Sequence, residues 1–231
     1  MVNILKKAAS GLLEMMLSPA MVLAVRAWDS KTMYEVDLHL PTANMAGWDT
    51  IKRLKCKVGA LEYRDYTPSL WNSETNVCTM FIETGHDGPG SCWARQLKPG
   101  DEISYGAAHA AALPTLLGGV LCLADGSALG HFLALKQLTD HSEHPMDVAV
   151  LLPETYRIPD SLKEENPEFD FMTGHGEAGI ALMEQWCDQK ELNRYNSIYI
   201  AGSVPMMRAL RKKLKANPAV HAKVQGYGFW S

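Results

Sequence analysis

Two incompatible hydrophobic patterns share this chain and divide it near the middle. Across residues 34–40 apolar and polar side chains alternate, with Tyr34, Val36, Leu38 and Leu40 on one side and Glu35, Asp37 and His39 on the other. A period of two sets one face of a strand on a core and leaves the other in water, as in an antiparallel sheet. Residues 118–124, 147–152 and 197–201 do not alternate at all. Continuous apolar runs of that length suit strands covered on both faces, as in a parallel sheet flanked by helices. No single sheet accommodates both patterns, so the chain reads as two domains.

The first half fills out as short strands. Residues 20–28 pair with 34–40 as a hairpin across Asp29-Ser30-Lys31, and further strands are expected at 51–58, 61–67, 76–83 and 102–105. Lys98-Pro99-Gly100-Asp101 is a turn. This spacing predicts an antiparallel β-barrel. In the second half helical spacing separates the apolar runs. Phe132, Leu135 and Leu138 follow the first run, Ile180, Met183 and Trp186 precede the third, and Met207, Leu210 and Leu214 follow it. Ser203 is the expected N-cap of that last helix, with Pro205 in its first turn. Strand–helix alternation predicts a small parallel-sheet α/β domain. The boundary falls within residues 106–117, giving domains 1–112 and 113–231.

Composition narrows the classes of function. A hydrophobic fraction of 47% and a charged fraction of 21% belong to a folded chain rather than a disordered or fibrous one. A net charge of −4 argues against a nucleic-acid binder. Five scattered cysteines without a C-x-x-C pair predict neither a metal site nor a disulfide framework, and reduced thiols fit a cytoplasmic protein. Near the N-terminus Ile4, Leu5, Ala8, Leu12 and Met15 recur at helical spacing, and Glu14 interrupts the apolar run. A short docking helix is expected there rather than a signal peptide. No apolar run reaches the roughly 18 residues that cross a membrane.

Two segments carry chemistry. Arg64-Asp65-Tyr66-Thr67 ends a strand, and Gly88-Pro89-Gly90-Ser91 opens Cys92-Trp93-Ala94-Arg95. Tyr66 offers a flat aromatic face to a ring such as isoalloxazine. Thr67 can hydrogen-bond that ring's polar edge, and Arg64 can make charge-assisted bonds to a phosphate. A glycine turn opening a helix presents backbone N–H groups to a pyrophosphate, and small residues permit the close approach. Taken alone, the first segment is also a strand-end salt bridge with a packed tyrosine, and the second a plain turn. Their order and spacing together point to flavin capture, with FAD rather than FMN because the turn suits a pyrophosphate.

The succession R-x-Y-T, G-P-G-S-x-W-A and K-P-G-D resembles the siderophore-interacting, ferric-siderophore reductase family of the ferredoxin–NADP reductase superfamily. The likeness continues more thinly through Leu123-Ala124-Asp125-Gly126-Ser127-Ala128-Leu129, Tyr199-Ile200-Ala201-Gly202 with Met207-Arg208-Ala209-Leu210-Arg211, and Tyr227-Gly228-Phe229-Trp230. The resemblance implies an FAD-binding barrel followed by an NAD(P)H-binding α/β domain. It assigns Arg64, Tyr66 and Thr67 to the flavin and Gly88, Gly90 and Ser91 to its pyrophosphate. Trp230 or Phe229 is assigned to the flavin's other face. The chain departs from the family pattern at Thr84, where a His is usual and His86 stands two residues on. It departs again at Gly126, Gly130 and Ser203. The last three lie in the nucleotide domain, so loose donor selection is expected.

The activity so implied is reduction of a chelated ferric ion, with electrons passing from NAD(P)H through FAD and no side-chain nucleophile or base. Two alternatives stay open. One is a flavin reductase or diaphorase, or a flavoprotein fed by ferredoxin, acting on another acceptor. The other is a non-enzymatic flavin- or siderophore-binding protein. Ferric siderophores are often anionic, which draws attention to two basic clusters: Lys52, Arg53, Lys55 and Lys57, and Arg208, Arg211, Lys212 and Lys213. Lys55, Arg208 and Arg211 are the candidate substrate contacts, although solvated faces explain both clusters equally well. His141, His144 and His175 lack ligand spacing. Asp125 is either a nucleotide contact or a helix N-cap.

Overall fold

The computed structural model describes residues 17–107, 111–114, 116–139 and 142–230. The expected N-terminal docking helix and His141 lie outside the described residues. The chain divides into two compact units. One holds the strands up to Ala27 and Lys31–Ala111, the other Trp28–Ser30 and Ala112–Ser231.

The first unit is a seven-stranded antiparallel sheet curled into a half-barrel. Its strands are β1 (Ser18–Ala27), β2 (Met33–His39), β3 (Leu54–Gly59), β4 (Glu62–Tyr66), β5 (Pro68–Asn72), β6 (Val77–Glu83) and β7 (Glu102–Ala107). Their spatial order is β4-β3-β7-β1-β2-β6-β5. The predicted hairpin is β1 against β2, registered from Met21 opposite His39 to Ala27 opposite Tyr34. Alternation does what it should: Val36 and Leu38 are fully buried, and Val22, Cys56, Cys78, Met80 and Ile82 close the core around them. Each side chain of that size contributes about 1.5–3 kcal/mol when fully buried. The opposite face is polar, where Arg26 clamps Asp37 at 2.5 and 2.8 Å and reaches Glu35 at 3.1 Å. Strand β5 is absent from the sequence reading because it opens on Pro68. A proline lacks the ladder N–H, and β5 tolerates one because it lies at the sheet edge.

The second unit is a five-stranded parallel sheet of β8 (Gly119–Asp125), β9 (Met146–Leu152), β10 (Phe169–Thr173), β11 (Tyr195–Ser203) and β12 (Lys223–Trp230), ordered β10-β9-β8-β11-β12. The three apolar runs are its central strands, and Leu121, Leu123, Val148, Val150, Ile198 and Ile200 are fully buried. Among the described residues one short α-helix, α1 (Pro89–Ala94), belongs to the first unit. Four more, α2 (Leu129–Leu138), α3 (Asp160–Glu165), α4 (Gly176–Asp188) and α5 (Val204–Ala216), belong to the second. Helix α5 buries Met206, Leu210 and Leu214. Met206 thus takes the innermost place that helical spacing gave to Met207. The edge strand β12 is masked in sequence by its glycines. A Cβ on Gly226 would sit 2.7 Å from Met207 Sδ, and one on Gly228 2.6 Å from Val204 Cγ2, so α5 packs directly on that strand.

Candidate functional site

In the first unit β4 runs against β3, with Tyr66 opposite Leu54 and Arg64 opposite Cys56. This register leaves the Tyr66 ring half-buried and Arg64 exposed. After β6 the chain turns through Gly88, whose extended backbone admits Pro89 at the first turn of α1. The Tyr66 and Trp93 rings stack with centroids 5.8 Å apart and planes 16° from parallel. Gly90 lies against the hydroxyl end of Tyr66. A Cβ there would collide with the Tyr66 hydroxyl and stand 3.3 Å from Arg64 Cγ. Only glycine lets α1 approach β4 this closely. The structure therefore brings Arg64, Tyr66, Gly90 and Trp93 together, with half-buried Thr67 leading from β4 into β5. Burial pushes the Tyr66 phenol well above its ordinary range.

The turn differs from its sequence reading in two respects. Helix α1 has six residues, too few for a substantial dipole, so its capacity for an anion rests on the first-turn N–H groups. No side chain caps that helix. Ser91 is buried, and its hydroxyl bonds the Glu83 carbonyl at 3.2 Å and His86 Nδ1 at 3.3 Å. What Ser91 can offer a ligand is its backbone N–H. The loop before the turn is held by Arg95, which donates to the Thr84 carbonyl at 2.5 Å and to the His86 carbonyl and Asp87 at 3.1 Å each.

In the second unit the order β10-β9-β8-β11-β12 reverses direction between β8 and β11. The carboxyl ends of the strands flanking such a switch point are where open α/β sheets take ligands. Asp125 ends β8 and is 8% exposed. One of its oxygens accepts from the Ser127 N–H at 3.0 Å and the Ser127 hydroxyl at 2.5 Å, the other from the Ser203 N–H at 2.6 Å. Burial raises the Asp125 pKa, and these bonds oppose the rise without cancelling it. Ser203 caps α5 by accepting from the Met206 N–H at 3.3 Å. Asp125 thereby caps the 3-10 turn Gly126–Ala128 that leads into α2, as the N-cap reading expects. Trp230 is half exposed at the end of β12, and its indole N–H reaches Ser127 Oγ at 3.1 Å.

The candidate substrate residues fare unequally. Lys55 is engaged by Asp65 at 2.6 Å across β3 and β4. Lys57, on the same side of β3, borders an open groove of about 370 Å³ with Ser18, Glu102 and Ser104. Arg208 and Arg211 are exposed on α5, and neither forms an ion pair among the described residues. Their neighbour Lys213 is bound by Asp188 at 2.8 Å. His175 lies 3.4 Å from Glu154, and no metal-binding cluster occurs among the described residues. Sequence reasoning gave no role to Trp93 or Arg95. Trp93 follows Gly90 by three residues, about one helical turn, which places both on one face. That spacing was the available signal for Trp93. Arg95 bonds carbonyls, which leave no mark in a sequence.

No family model matches the chain, and no curated protein does. Solved structures do. A siderophore utilization protein from T. fusca superposes with a TM-score of 0.71 at 17% identity, covering 93% of this chain and 92% of that one. A siderophore-interacting protein from Aeromonas hydrophila gives 0.72 at 14%, covering 93% and 91%. Phthalate dioxygenase reductase, described as a modular structure for electron transfer from pyridine nucleotides to [2Fe-2S], gives 0.71 at 16%, covering 93% and 69%. No helix of the described residues is long and apolar enough to cross a membrane. The chain has the two-domain fold of the ferredoxin–NADP reductase-like proteins, among which its structural neighbours include siderophore-interacting proteins.

Proposed function

We propose that the chain is an FAD-dependent ferric-siderophore reductase whose first unit holds the flavin. The observation that carries this reading is the packing at Gly90. A glycine turn is pressed against the hydroxyl end of Tyr66, beside the exposed Arg64. A Cβ at Gly90 would displace the Tyr66 hydroxyl from this cradle. Arg64, Tyr66 and Thr67 are then the contacts to the ring and phosphate, with Gly88, Gly90 and Ser91 contributing backbone to the pyrophosphate. A bound flavin supplies the conversion of a two-electron hydride into single electrons. The protein's part is to hold it and neutralise its phosphates. The likeness to siderophore-interacting proteins supports chelated Fe(III) as the acceptor. The second unit is the donor-binding domain for NAD(P)H, and a cytoplasmic location goes with that chemistry.

The test uses the purified holoprotein. Released cofactor should run as FAD on chromatography, and FMN alone, or a colourless protein, would overturn the flavin assignment. Protein reduced with dithionite should be reoxidised anaerobically within seconds by a ferric hydroxamate or catecholate. Reoxidation no faster than in chelate-free anaerobic buffer would remove the ferric acceptor while leaving the flavin in place.

A further inference from the structure

We infer that Asp125 is a selectivity determinant of the second unit: its carboxylate stands where a nucleotide's diphosphate would sit, and it weakens the chain's hold on NADH and NADPH. The inference rests on the reading of that unit as the donor domain. Its starting point is the sheet order, which places the switch point between the carboxyl ends of β8 and β11. In a dinucleotide site the turn after the first strand and a helix N-terminus turn their N–H groups toward the diphosphate. Here one N–H group from each of the two turns, that of Ser127 and that of Ser203, ends on Asp125. One turn further into α5, the Met206 N–H ends on the Ser203 hydroxyl.

The arrangement is built in rather than incidental. Gly202 holds φ +131, a conformation that favours glycine, and a Cβ on it would fall within 2.6 Å of three atoms of the Asp125 carboxyl group. The backbone of β11 has thus been shaped to admit this carboxyl. Trp230 closes the same edge from β12 by donating to Ser127 Oγ. An incoming diphosphate must displace Asp125 from donors it already satisfies, or approach a buried like charge. Both work against binding. The adenosine half of a nucleotide carries no such charge and meets no such penalty.

Calorimetric titration of the holoprotein with ADP-ribose, NADPH and adenosine tests this. Wild type should bind ADP-ribose with a dissociation constant above about 100 μM, and low-micromolar binding would overturn the inference outright. Asp125→Asn keeps an acceptor for the Ser203 N–H and removes the charge. It should bind ADP-ribose and NADPH at least tenfold more tightly, with adenosine unchanged. An unchanged affinity for ADP-ribose, an equal gain for adenosine, or no binding by either protein would refute a charge-based role for Asp125. Thermal melting confirms that the variant is folded, and the wild-type titration decides the matter if it is not. Flavin content and reoxidation by ferric chelate are read separately, so failure here is distinct from failure of the proposed function.

Discussion

The two units each contain a glycine–serine turn that opens a helix, and they treat it in opposite ways. At Gly88–Ser91 no side chain caps the helix, the serine hydroxyl is turned inward to Glu83 and His86, and a glycine is pressed against the hydroxyl end of a tyrosine. At Gly202–Ser203 the serine caps the helix, and a buried carboxylate from the neighbouring strand takes the serine's own N–H. Both glycines are obligatory, for different reasons. Gly90 keeps space for contact between elements, whereas Gly202 makes room for a resident anion. A turn that leaves its donors uncapped can receive a phosphate, and a turn that satisfies them internally resists one. The motif spelled in residues does not distinguish these cases. The partners of the N–H groups do.

The largest expected effect comes from breaking the self-filled turn. Gly202→Ala places a Cβ against the Asp125 carboxyl on a backbone with positive φ. Strain at such a position costs about 1–3 kcal/mol, and overpacking a buried site costs a similar amount. The second unit should lose about 2–4 kcal/mol in urea unfolding followed by circular dichroism, while flavin fluorescence tracks the first. Wild-type stability would mean that Asp125 leaves its donors easily, and the contrast between the turns would collapse.

Gly90→Ala attacks the other turn. The new methyl meets the rigid hydroxyl end of Tyr66, so the ring or the helix must shift. Flavin affinity should fall about tenfold or more, in line with an overpacking cost of about 1–3 kcal/mol. Gly100→Ala is the comparison. Its φ is +92 but nothing lies within 4 Å of the added Cβ. It should lower stability by about 1 kcal/mol and leave fluorescence titration with FAD unchanged. Equal flavin loss in both variants would show that the barrel, rather than the cradle at Gly90, governs retention.

The sequence made the architecture legible wherever pattern and burial coincide. Alternation located β2, and the apolar runs located β8, β9 and β11, because strands buried on one face and on both faces differ in composition. Of the four edge strands β4 was read at 61–67, and the other three escaped for physical reasons. β5 begins with a proline, β10 is half polar, and β12 is interrupted by Gly226 and Gly228 where α5 needs space. Of the candidate site, Arg64, Tyr66 and Gly90 were legible as a spacing, and the structure does assemble them with Trp93. The inward turn of Ser91 was not legible, since a hydroxyl's direction depends on a carbonyl eight residues earlier. The closing of the second turn by Asp125 joins residues 78 apart in sequence, beyond any local pattern.

The smallest expected effect concerns the basic side chains, and it sharpens the comparison by asking whether the second unit handles anions at all. Lys55 is already bonded to Asp65, so its charge is largely spent within the barrel wall. Arg208 and Arg211 lie one turn apart on the exposed face of α5, opposite Met206, Leu210 and Leu214. Exposed charges of this kind change association rates more than affinities, and salt screens them over about 8–10 Å. If the second unit meets anions through these side chains, reversing both to Glu should slow reoxidation of the reduced protein by an anionic ferric chelate about threefold at low salt. The difference should vanish by about 0.5 M salt, and a neutral chelate should be unaffected at any concentration. Lys55→Glu should instead lower barrel stability by up to about 1 kcal/mol through repulsion from Asp65, with little effect on rate. Stopped-flow absorbance of the flavin across a salt series reads all three cases. An equal loss of rate for anionic and neutral chelates would assign the arginines to the fold, and no loss for either would leave α5 with a merely solvated face.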